Sequence, residues 1–311
     1  MPGRDAAFTA SRERPVSTPG LSQQQLDTWV GRSEQVRDRV TARPVEILKA
    51  TLDRDPHGLR EGDPIPAGWH WLYFHEVVRL DRTGHDGHPA RGGFLPPVPL
   101  PRRMWAGNRM DFHVPLHVGE QVSRTSTIHR ASFKRGASGD LCFVTVRHEL
   151  HGEAGLATIE EHDIVFREAA TSGAAPPPAM SPPQRTPLWQ REVVPGPVLL
   201  FRFSALTMNS HRIHYDRDFC VRDEGYPGLL VHGPLTMLLL MDLFDRHMPG
   251  ASPTRVSVRA RSPLFDTAPM DLAGTLTDDP GTASLWACGP GPALAMSAEL
   301  SYLAGERVVT S

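Results

Sequence analysis

The sequence is first notable for what is scarce in it: three cysteines, two lysines and no long apolar run among 311 residues. The scattered cysteines form no C-x-x-C pair, which argues against structural disulfides and favours a reducing compartment. No stretch reaches the roughly 18 apolar residues that a membrane span needs, so we expect no membrane partner. A net charge of −2 gives no reason to expect a nucleic acid partner.

Motifs for nucleotide cofactors and serine nucleophiles are also missing. The chain contains no G-x-G-x-x-G, no P-loop and no G-x-S-x-G, so we expect no nucleotide cofactor and no serine hydrolase chemistry. No other cofactor is indicated. Residues 1–20 mix acidic side chains with arginines and lack the apolar core of a secretory signal. They therefore predict a flexible start to a cytoplasmic protein.

The clearest boundary in the sequence is a segment rich in proline and small residues at 169–187. Such a composition cannot bury a core and favours an extended connector. A chain of 311 residues is long enough for two units of about 150 residues each. We therefore predict an N-terminal unit at 21–168 and a C-terminal unit at 188–311.

Hydrophobic periodicity predicts helices followed by long strands in both units. The first unit is predicted to contain two helices and then four strands, at 22–52, 69–78, 108–116, 120–132, 140–151 and 156–166. The second is predicted to contain a strand, an apolar helix and then four strands, at 198–203, 233–248, 254–264, 269–277, 282–288 and 293–303. This pattern predicts the α+β class, and the similar halves indicate a duplicated unit.

The strongest chemical signal is the run F-S-A-L-T-M-N-S-H-R-I-H-Y-D at 203–216, followed by V-H-G-P-L-T at 231–236. It places Asn209 five residues before His214, whose imidazole titrates near neutral pH and suits proton transfer. Gly233 opens the apolar helix, where unpaired backbone N–H groups and the helix dipole favour a negatively charged oxygen. Together these groups suit the addition of water to an unsaturated acyl thioester, which needs a proton-transferring group and a stabilised oxyanion.

This pattern resembles that of MaoC-like enoyl-thioester hydratases, which runs approximately L-S-G-D-x-N-P-I-H-x-D and then V-H-G. The wider form S-A-L-T-x-N-x-H-x-I-H-Y-D is similar to the hydroxyacyl-thioester dehydratase type 2 branch, and most similar to mesaconyl-CoA hydratase-like proteins. In the first half, G-G-F-L-P-P-V-P-L-P-R-R-M-W-A-G-N-R-M-D-F at 92–112 extends the resemblance, which covers about residues 40–305. The resemblance implies a double hotdog fold, in which the first hotdog lacks the catalytic loop and shapes the substrate tunnel.

The resemblance also implies catalytic roles for His214, Asn209 and Gly233. His214 matches the family histidine that transfers the proton, and Gly233 is expected to bind the thioester oxyanion. Asn209 stands where the MaoC-like pattern has aspartate, which acts with the histidine on one water. Because an amide cannot accept a proton, Asn209 is expected to position water while His214 acts alone, or shares the work with Asp216 or His211.

Further residues are predicted to bind the substrate: Arg212, His211, His232, Trp105, Arg102 and Arg103. Arg212 suits an acyl group with a second carboxylate, because arginine binds carboxylates through two hydrogen bonds. Trp105 is expected to line the acyl tunnel. Arg102 and Arg103 are expected to contact the phosphates of coenzyme A.

The predicted function is reversible hydration of an enoyl-CoA thioester, with mesaconyl (3-methylfumaryl)-CoA and citramalyl-CoA as the favoured pair. One alternative is a 3-hydroxyacyl-thioester dehydratase of fatty acid metabolism, acting on CoA or acyl carrier protein. Another is a non-catalytic protein that binds acyl thioesters. The sequence leaves open whether the protein is a monomer or a homodimer. No metal is predicted, because His211, His214 and Asp216 lack a fourth ligand.

Overall fold

The computed structural model describes residues 21–136, 139–168, 180–291 and 293–305. The predicted flexible N-terminus at 1–20 lies outside the described residues, as does the predicted connector from 169 to 179. The remainder of that connector, 180–187, has no regular secondary structure. Within the described ranges, no helix is long and apolar enough to cross a membrane.

One antiparallel sheet of ten strands organises the described chain. The strands are β1 (Ser33–Arg39), β2 (Arg102–Phe112), β3 (Gln121–Gly136), β4 (Gly139–Gly152), β5 (Gly155–Arg167), β6 (Trp189–Val193), β7 (Ser252–Ala260), β8 (Met270–Leu276), β9 (Thr282–Gly289) and β10 (Ala293–Leu303). Their order across the sheet is β1-β3-β4-β5-β2-β7-β10-β9-β8-β6. From either edge, the strands of one half therefore follow the same order: first, third, fourth, fifth and second. This repetition agrees with a duplicated unit.

The two halves meet where β2 pairs with β7, and this junction is tightly packed. Met110 lies opposite Val256 in the register, and both are fully buried. A Cβ added at Gly107 would lie 2.5 Å from the carbonyl oxygen of Val258, so only glycine fits there. One continuous sheet therefore crosses both halves. The unit boundaries placed at 168 and 188 from the sequence stay predictions.

In the described ranges five α-helices accompany the sheet: α1 (Gln23–Asp27), α2 (Ala42–Thr51), α3 (Pro197–Leu206), α4 (Arg217–Arg222) and α5 (Gly233–His247). Ten consecutive residues of α5, from Leu235 to Phe244, are buried, because its apolar side chains point in all directions. The helix packs on β6, β8, β9 and β10, and it also reaches β2. The apolar helix predicted at 233–248 is thus confirmed as the centre of the C-terminal half.

Asp242 is the charged residue within the buried stretch of α5. Its carboxylate forms ion pairs with Arg54, with Arg191 at 2.9 Å and with Arg246 at 2.7 Å. A buried charge costs several kcal/mol unless it is paired, so the three guanidinium groups explain how this carboxylate is tolerated. Because Arg54 follows α2 and Arg191 lies on β6, the cluster also joins the two halves around the helix.

The helix predicted at 22–52 is wrong over part of its length. That segment is divided into α1, strand β1 at Ser33–Arg39, and α2. The strand forms one edge of the sheet, and none of its seven side chains is fully buried. It therefore lacks the apolar alternation by which a half-buried strand is recognised in a sequence.

The strand predicted at 198–203 is also wrong, because this segment forms helix α3, Pro197–Leu206. Its buried positions include Leu200 and Phe203, which are three residues apart and share one face of the helix. A short apolar run is compatible with a buried strand or a helix. The Gly-Pro pair at its start is the signal that favours the helix.

Two further differences concern short elements. The helix predicted at 69–78 is reduced to one 3₁₀ turn at Trp69–Leu72, and Phe74 beyond it has a positive φ of 60°. Strand β6 was not predicted, because it has only five residues and follows the proline-rich segment. The other strands, β2 to β5 and β7 to β10, overlap the strands predicted from the sequence.

Candidate active site

The loop that carries the predicted catalytic residues begins where α3 ends. After Leu206, the last residue of the helix, Met208 has a left-handed conformation with φ of 48°, which turns the chain away from the helix axis. The backbone N–H of Asn209 donates to the carbonyl of Ser204 at 2.9 Å and closes the helix end. A 3₁₀ turn at Arg212–His214 follows and leads into α4. We refer to residues 209–214 as the catalytic loop.

His214 is buried, with 6% of its surface exposed. Its Nδ1 lies 2.7 Å from the carbonyl oxygen of Leu230. Because a carbonyl only accepts, Nδ1 carries the proton and Nε2 keeps its lone pair. Burial lowers the pKa of His214 to about 4, although the hydrogen bond to Leu230 opposes the change. The side chain is therefore neutral near pH 7 and offers Nε2 as a base.

His232 immediately precedes α5 and is completely buried. Its ring stacks on the ring of His214, with centroids 3.6 Å apart and an angle of 18° between the planes. Its Nε2 shares a hydrogen bond of 2.8 Å with Oγ of Ser204 on α3. Burial, together with the charges of His214 and His211, holds the pKa of His232 well below its usual value. His232 is thus a neutral ring that fixes the plane of His214.

Gly233 is the first residue of α5, and no side chain fits at its position. A Cβ there would overlap the six-membered ring of Trp105 on β2. Trp105 lies at a β-bulge, where β2 shifts its register against β5, and bulges of this kind redirect side chains. The first N–H groups of a helix have no partner within the helix and favour a negative oxygen. The glycine therefore lets the ring of Trp105 pack directly against the first turn of α5.

Asn209 and His211 form the turn before His214. Oδ1 of Asn209 accepts a hydrogen bond from the backbone N–H of His211 at 3.1 Å, the local contact by which asparagine stabilises turns. The ring of His211 stands edge-on to that of His214, with centroids 5.6 Å apart. Burial lowers the pKa of His211 to about 2, with further contributions from His88 and His214. The amide oxygen of Asn209 is therefore already engaged, while its NH₂ group remains a donor.

The three arginines predicted to bind substrate differ in whether their guanidinium groups already have an ion-pair partner. Arg212 donates to Asp216 from Nε at 3.0 Å and from Nη2 at 2.7 Å. Arg102 pairs with Glu224 at 3.1 Å. The guanidinium group of Arg103 has no hydrogen bond or ion pair in the part of the chain that the structure describes, and burial lowers its pKa to about 10, although the charge of Asp86 opposes the change. Of the three, Arg103 has the guanidinium group that is free to bind a ligand.

A second loop, at 84–88, docks on the catalytic loop and was missed by the sequence analysis. Nδ1 of His88 lies 3.0 Å from Oδ2 of Asp86, and the ring of His88 lies 4.0 Å from that of His211. The carbonyl of Asp86 accepts a hydrogen bond of 2.9 Å from the N–H of Arg212. The signal that points to this loop is a carboxylate and an imidazole two residues apart in D-G-H, within a segment without helix or strand pattern.

One group near the site has the spacing of metal ligands. The ligand atoms of Asp86, His88 and His211 lie within 4.8 Å of one another, a different set from the three residues considered in the sequence. However, Asp86 already holds Nδ1 of His88, and the positive charge of Arg103 acts on both histidines. These contacts fit a carboxylate–imidazole pair better than a cation site.

A second polar cluster is buried in the N-terminal half. Glu160 on β5 accepts hydrogen bonds from His70 at 2.8 Å, Trp71 at 3.1 Å and Asn108 at 2.6 Å. Burial alone would raise the pKa of Glu160, but the hydrogen bond and charge of His70 bring it well below its usual value. His162 on the same strand meets the ring of Trp105 edge-on at 6.4 Å, so the cluster extends to the residue that covers Gly233.

Comparison with known proteins places these features in a family. The family model described as hydroxyacyl-thioester dehydratase type 2 matches residues 68–266, which include both loops and α5. The chain is 46% identical over 271 residues to the mesaconyl-C(4)-CoA hydratase of Chloroflexus aurantiacus, covering 87% of this chain and 95% of that relative. The chain belongs to the hydroxyacyl-thioester dehydratase type 2 family. It is a hydro-lyase, a hydratase/dehydratase of acyl thioesters, as the sequence predicts.

Solved structures of other proteins confirm the fold of the chain. A MaoC-like dehydratase from Phytophthora capsici superposes with a TM-score of 0.65 at 14% identity, covering 92% of this chain and 100% of that chain. A conserved hypothetical protein from Mycobacterium tuberculosis with a double hotdog fold superposes with a TM-score of 0.51 at 14% identity, covering 88% and 96%. The predicted α+β double hotdog is therefore confirmed.

Proposed function

We propose that the protein reversibly hydrates a mesaconyl-CoA type thioester to a 3-hydroxyacyl-CoA of the citramalyl type. The observation that carries the proposal is the state of His214. Its Nδ1 donates to Leu230, its Nε2 has no hydrogen bond to any described residue, and its ring is neutral near pH 7. The ring stacks on His232, one residue before the start of α5 at Gly233. A base beside a site for an oxyanion is what hydration of an enoyl thioester requires.

The proposed reaction uses these groups in one sequence. Nε2 of His214 takes a proton from water as the water oxygen bonds to the β-carbon of the substrate. The electrons of the double bond move toward the thioester carbonyl, whose oxygen is stabilised by the backbone at Gly233. The imidazolium of His214 then returns its proton to the α-carbon. Asn209 supports the turn and offers its NH₂ group to water or substrate.

Two observations support a dicarboxylic acyl group: the substrate for which a relative is named, and the guanidinium group of Arg103. A relative with 46% identity is named for mesaconyl-C(4)-CoA, whose acyl group keeps a free carboxylate. Arg212, the partner predicted for that carboxylate, is already held by Asp216. Arg103 has no ion pair within the described residues, and its guanidinium acts electrostatically on His211. We therefore propose Arg103 as the partner of the substrate carboxylate.

The buried polar groups of the N-terminal half favour this substrate over a long fatty acyl chain. Glu160 is buried on β5, His148 on β4 and His162 on β5 are half-buried, and packing alkyl chains against such groups gains little. For this hydro-lyase, the alternatives to the proposed substrate are a fatty acyl group and acyl carrier protein in place of CoA. A homodimer, a cytoplasmic location and contacts of Arg102 with CoA phosphates stay predictions.

The test follows the absorbance of the conjugated enoyl thioester with 3-methylfumaryl-CoA and with crotonyl-CoA. We expect loss of the band with the dicarboxylic substrate and much slower loss with crotonyl-CoA. Faster turnover of crotonyl-CoA would replace the proposed substrate by a fatty acyl one. No turnover of either substrate would refute both the dicarboxylic and the short fatty acyl substrate.

A further inference from the structure

The active site lacks a carboxylate at position 209, where the MaoC-like pattern has aspartate acting with the histidine on one water. Resting on the hydration proposed above, we propose that Asp86 and His88 form a dyad that takes over this role. In the dyad, Nε2 of His88 accepts a hydrogen bond from the nucleophilic water, and Asp86 positions His88. His88 is then a catalytic residue, and Asp86 a positioning residue.

The first supporting observation is the geometry of the pair. Oδ2 of Asp86 lies 3.0 Å from Nδ1 of His88, and Oδ1 accepts the backbone N–H of His88 at 3.0 Å. The carboxylate therefore holds both the ring and the backbone of the histidine. Because an ionised carboxylate only accepts, Nδ1 carries the proton and Nε2 keeps its lone pair. This is the same tautomer that Leu230 imposes on His214.

The charge of the pair supports the same reading. Burial would raise the pKa of Asp86, but the hydrogen bonds from the ring and the backbone N–H of His88 lower it overall, so the carboxylate is ionised. Burial lowers the pKa of His88 against the effect of Asp86, so the imidazole is neutral. A neutral imidazole with an ionised partner is the form that accepts a hydrogen bond from water.

The second observation is how firmly the loop is attached to the catalytic loop. The carbonyl of Asp86 accepts the N–H of Arg212 at 2.9 Å, and the carbonyl of Gly87 accepts Oγ–H of Ser210 at 2.5 Å. Gly87 has φ of 88°, and a Cβ there would overlap the carbonyl oxygen of Ser210. These contacts join the loop at 84–88 to the catalytic loop and thereby fix the position of His88 relative to His214.

The third observation is the row of rings that results. The rings of His88 and His211 are 4.0 Å apart, and those of His211 and His214 are 5.6 Å apart. His88 and His214 therefore lie at the two ends of a short row. Asp216, the other carboxylate considered as a partner, is bound to Arg212 and caps α4. Among the described residues, Asp86 is thus the carboxylate that contacts a histidine of this row, namely His88.

The proposed step balances without any further reactant. One O–H bond of the water breaks, and its proton goes to Nε2 of His214 while the oxygen bonds to the β-carbon. The other O–H group keeps its proton, donates to Nε2 of His88 throughout and becomes the hydroxyl group of the product. In the dehydration direction, His88 holds the leaving hydroxyl in the same way.

The test compares Asp86→Asn, His88→Gln and the double variant with wild type, using 3-methylfumaryl-CoA. We expect each single variant to lower kcat about 10²-fold while KM changes less than about threefold, the range of one acid–base group. The double variant should lose little more than His88→Gln, because the two residues act as a unit. The matched control is Asp81→Asn, an exposed carboxylate paired with Arg79, which should keep wild-type kcat.

Several outcomes would overturn the dyad. One is a kcat within about threefold of wild type for both single variants, and another is a loss confined to KM. A third is activity removed by EDTA and restored by Zn²⁺, because Asp86, His88 and His211 would then be metal ligands. If His88→Gln does not fold, the isosteric Asp86→Asn decides. An inactive wild type would refute the proposed hydration itself, which separates that failure from failure of the dyad.

Discussion

The two halves of the sheet have the same strand order but enclose different interiors. In the C-terminal half, the sheet wraps the 15-residue helix α5, whose buried stretch is almost entirely apolar. In the described part of the N-terminal half, the longest α-helix is α2, with 10 residues, and it packs chiefly on α3. The inner face of β4 and β5 instead carries polar groups, among them the buried Glu160 and the half-buried His148 and His162.

This difference shows how a repeated fold can divide its work. An apolar helix inside a curved sheet supplies burial and therefore stability, and its first turn supplies free N–H groups. The described N-terminal half has no helix of this length, and polar groups on its inner face are tolerated only when they are hydrogen bonded. Glu160 meets that condition with three donors. We infer that the C-terminal half supplies His214 and the oxyanion site, while the N-terminal half supplies the Asp86–His88 dyad and the selection of substrate.

The largest expected effect is a loss of kcat when the proposed base of the C-terminal half is removed. His214→Ala should lower kcat about 10³-fold, because the base that takes the proton from water is removed. Steady-state kinetics with 3-methylfumaryl-CoA would measure this loss. His75→Ala, in an exposed position of the N-terminal half, is the control and should keep the wild-type rate. A His214→Ala enzyme with more than a tenth of the wild-type kcat would contradict the assignment.

Removing the buried charge of the N-terminal half should affect stability. Glu160→Gln should lower the free energy of unfolding by about 3 kcal/mol, because it leaves the buried donors of His70, Trp71 and Asn108 with a weaker acceptor. Urea unfolding measures the change. Glu161→Gln, on the opposite face of β5, is the matched control and should cost less than about 1 kcal/mol. Equal losses in the two variants would refute a special role for the inner face.

Acid should destabilise the histidine-rich site between the halves. The pKa of His214 falls from 6.5 to about 4 in the folded state, so the unfolded chain binds more protons between these values. Stability is therefore complete above pH 6.5 and decreases as the pH falls toward 4. Going from pH 7 to pH 5 should cost about 2 kcal/mol from this residue. His214→Asn should make the pH dependence of unfolding shallower, and an unchanged dependence would contradict the shift.

The smallest predicted effect sharpens the role of the N-terminal half in selecting substrate. Arg103→Met should raise KM for 3-methylfumaryl-CoA about tenfold and leave KM for crotonyl-CoA unchanged, because only the first substrate has a free carboxylate. Arg212→Met is the matched comparison. Since Arg212 is bound to Asp216, its loss should change both substrates alike. If instead Arg212→Met raised KM for 3-methylfumaryl-CoA alone, Arg212 would be the partner of the substrate carboxylate, as predicted from the sequence.

Much of the fold is predictable from the sequence because it depends on local periodicity. Strands β2 to β5 and β7 to β10 show runs of period two, and α5 has an apolar run with Pro near its start and Gly250 beyond its end. The motif from Asn209 to Gly233 is also local, since its spacing identifies the family. These features need no knowledge of which distant segments meet.

The elements that escape prediction depend on contacts between distant residues. Strand β1 exists because it pairs with β3, although its own side chains are mostly polar. The loop at 84–88 reaches the active site through a contact between Asp86 and Arg212, which are far apart in the chain. Polar residues at 160 and 162 suggest an exposed face when read alone. Only the folded structure shows that Glu160 is buried with partners supplied by other segments.

The close pairing of β2 with β7, secured by Gly107, has an evolutionary consequence. In a symmetric dimer, any substitution appears in both copies and alters both sides of the interface at once. Here the two equivalent strands belong to one polypeptide, so each copy can mutate without its counterpart changing. The two halves can therefore differ in their interiors, as they do in the described residues, where the long central helix α5 belongs to the C-terminal half. A junction that cannot dissociate is thus what permits an asymmetric enzyme to arise from a symmetric plan.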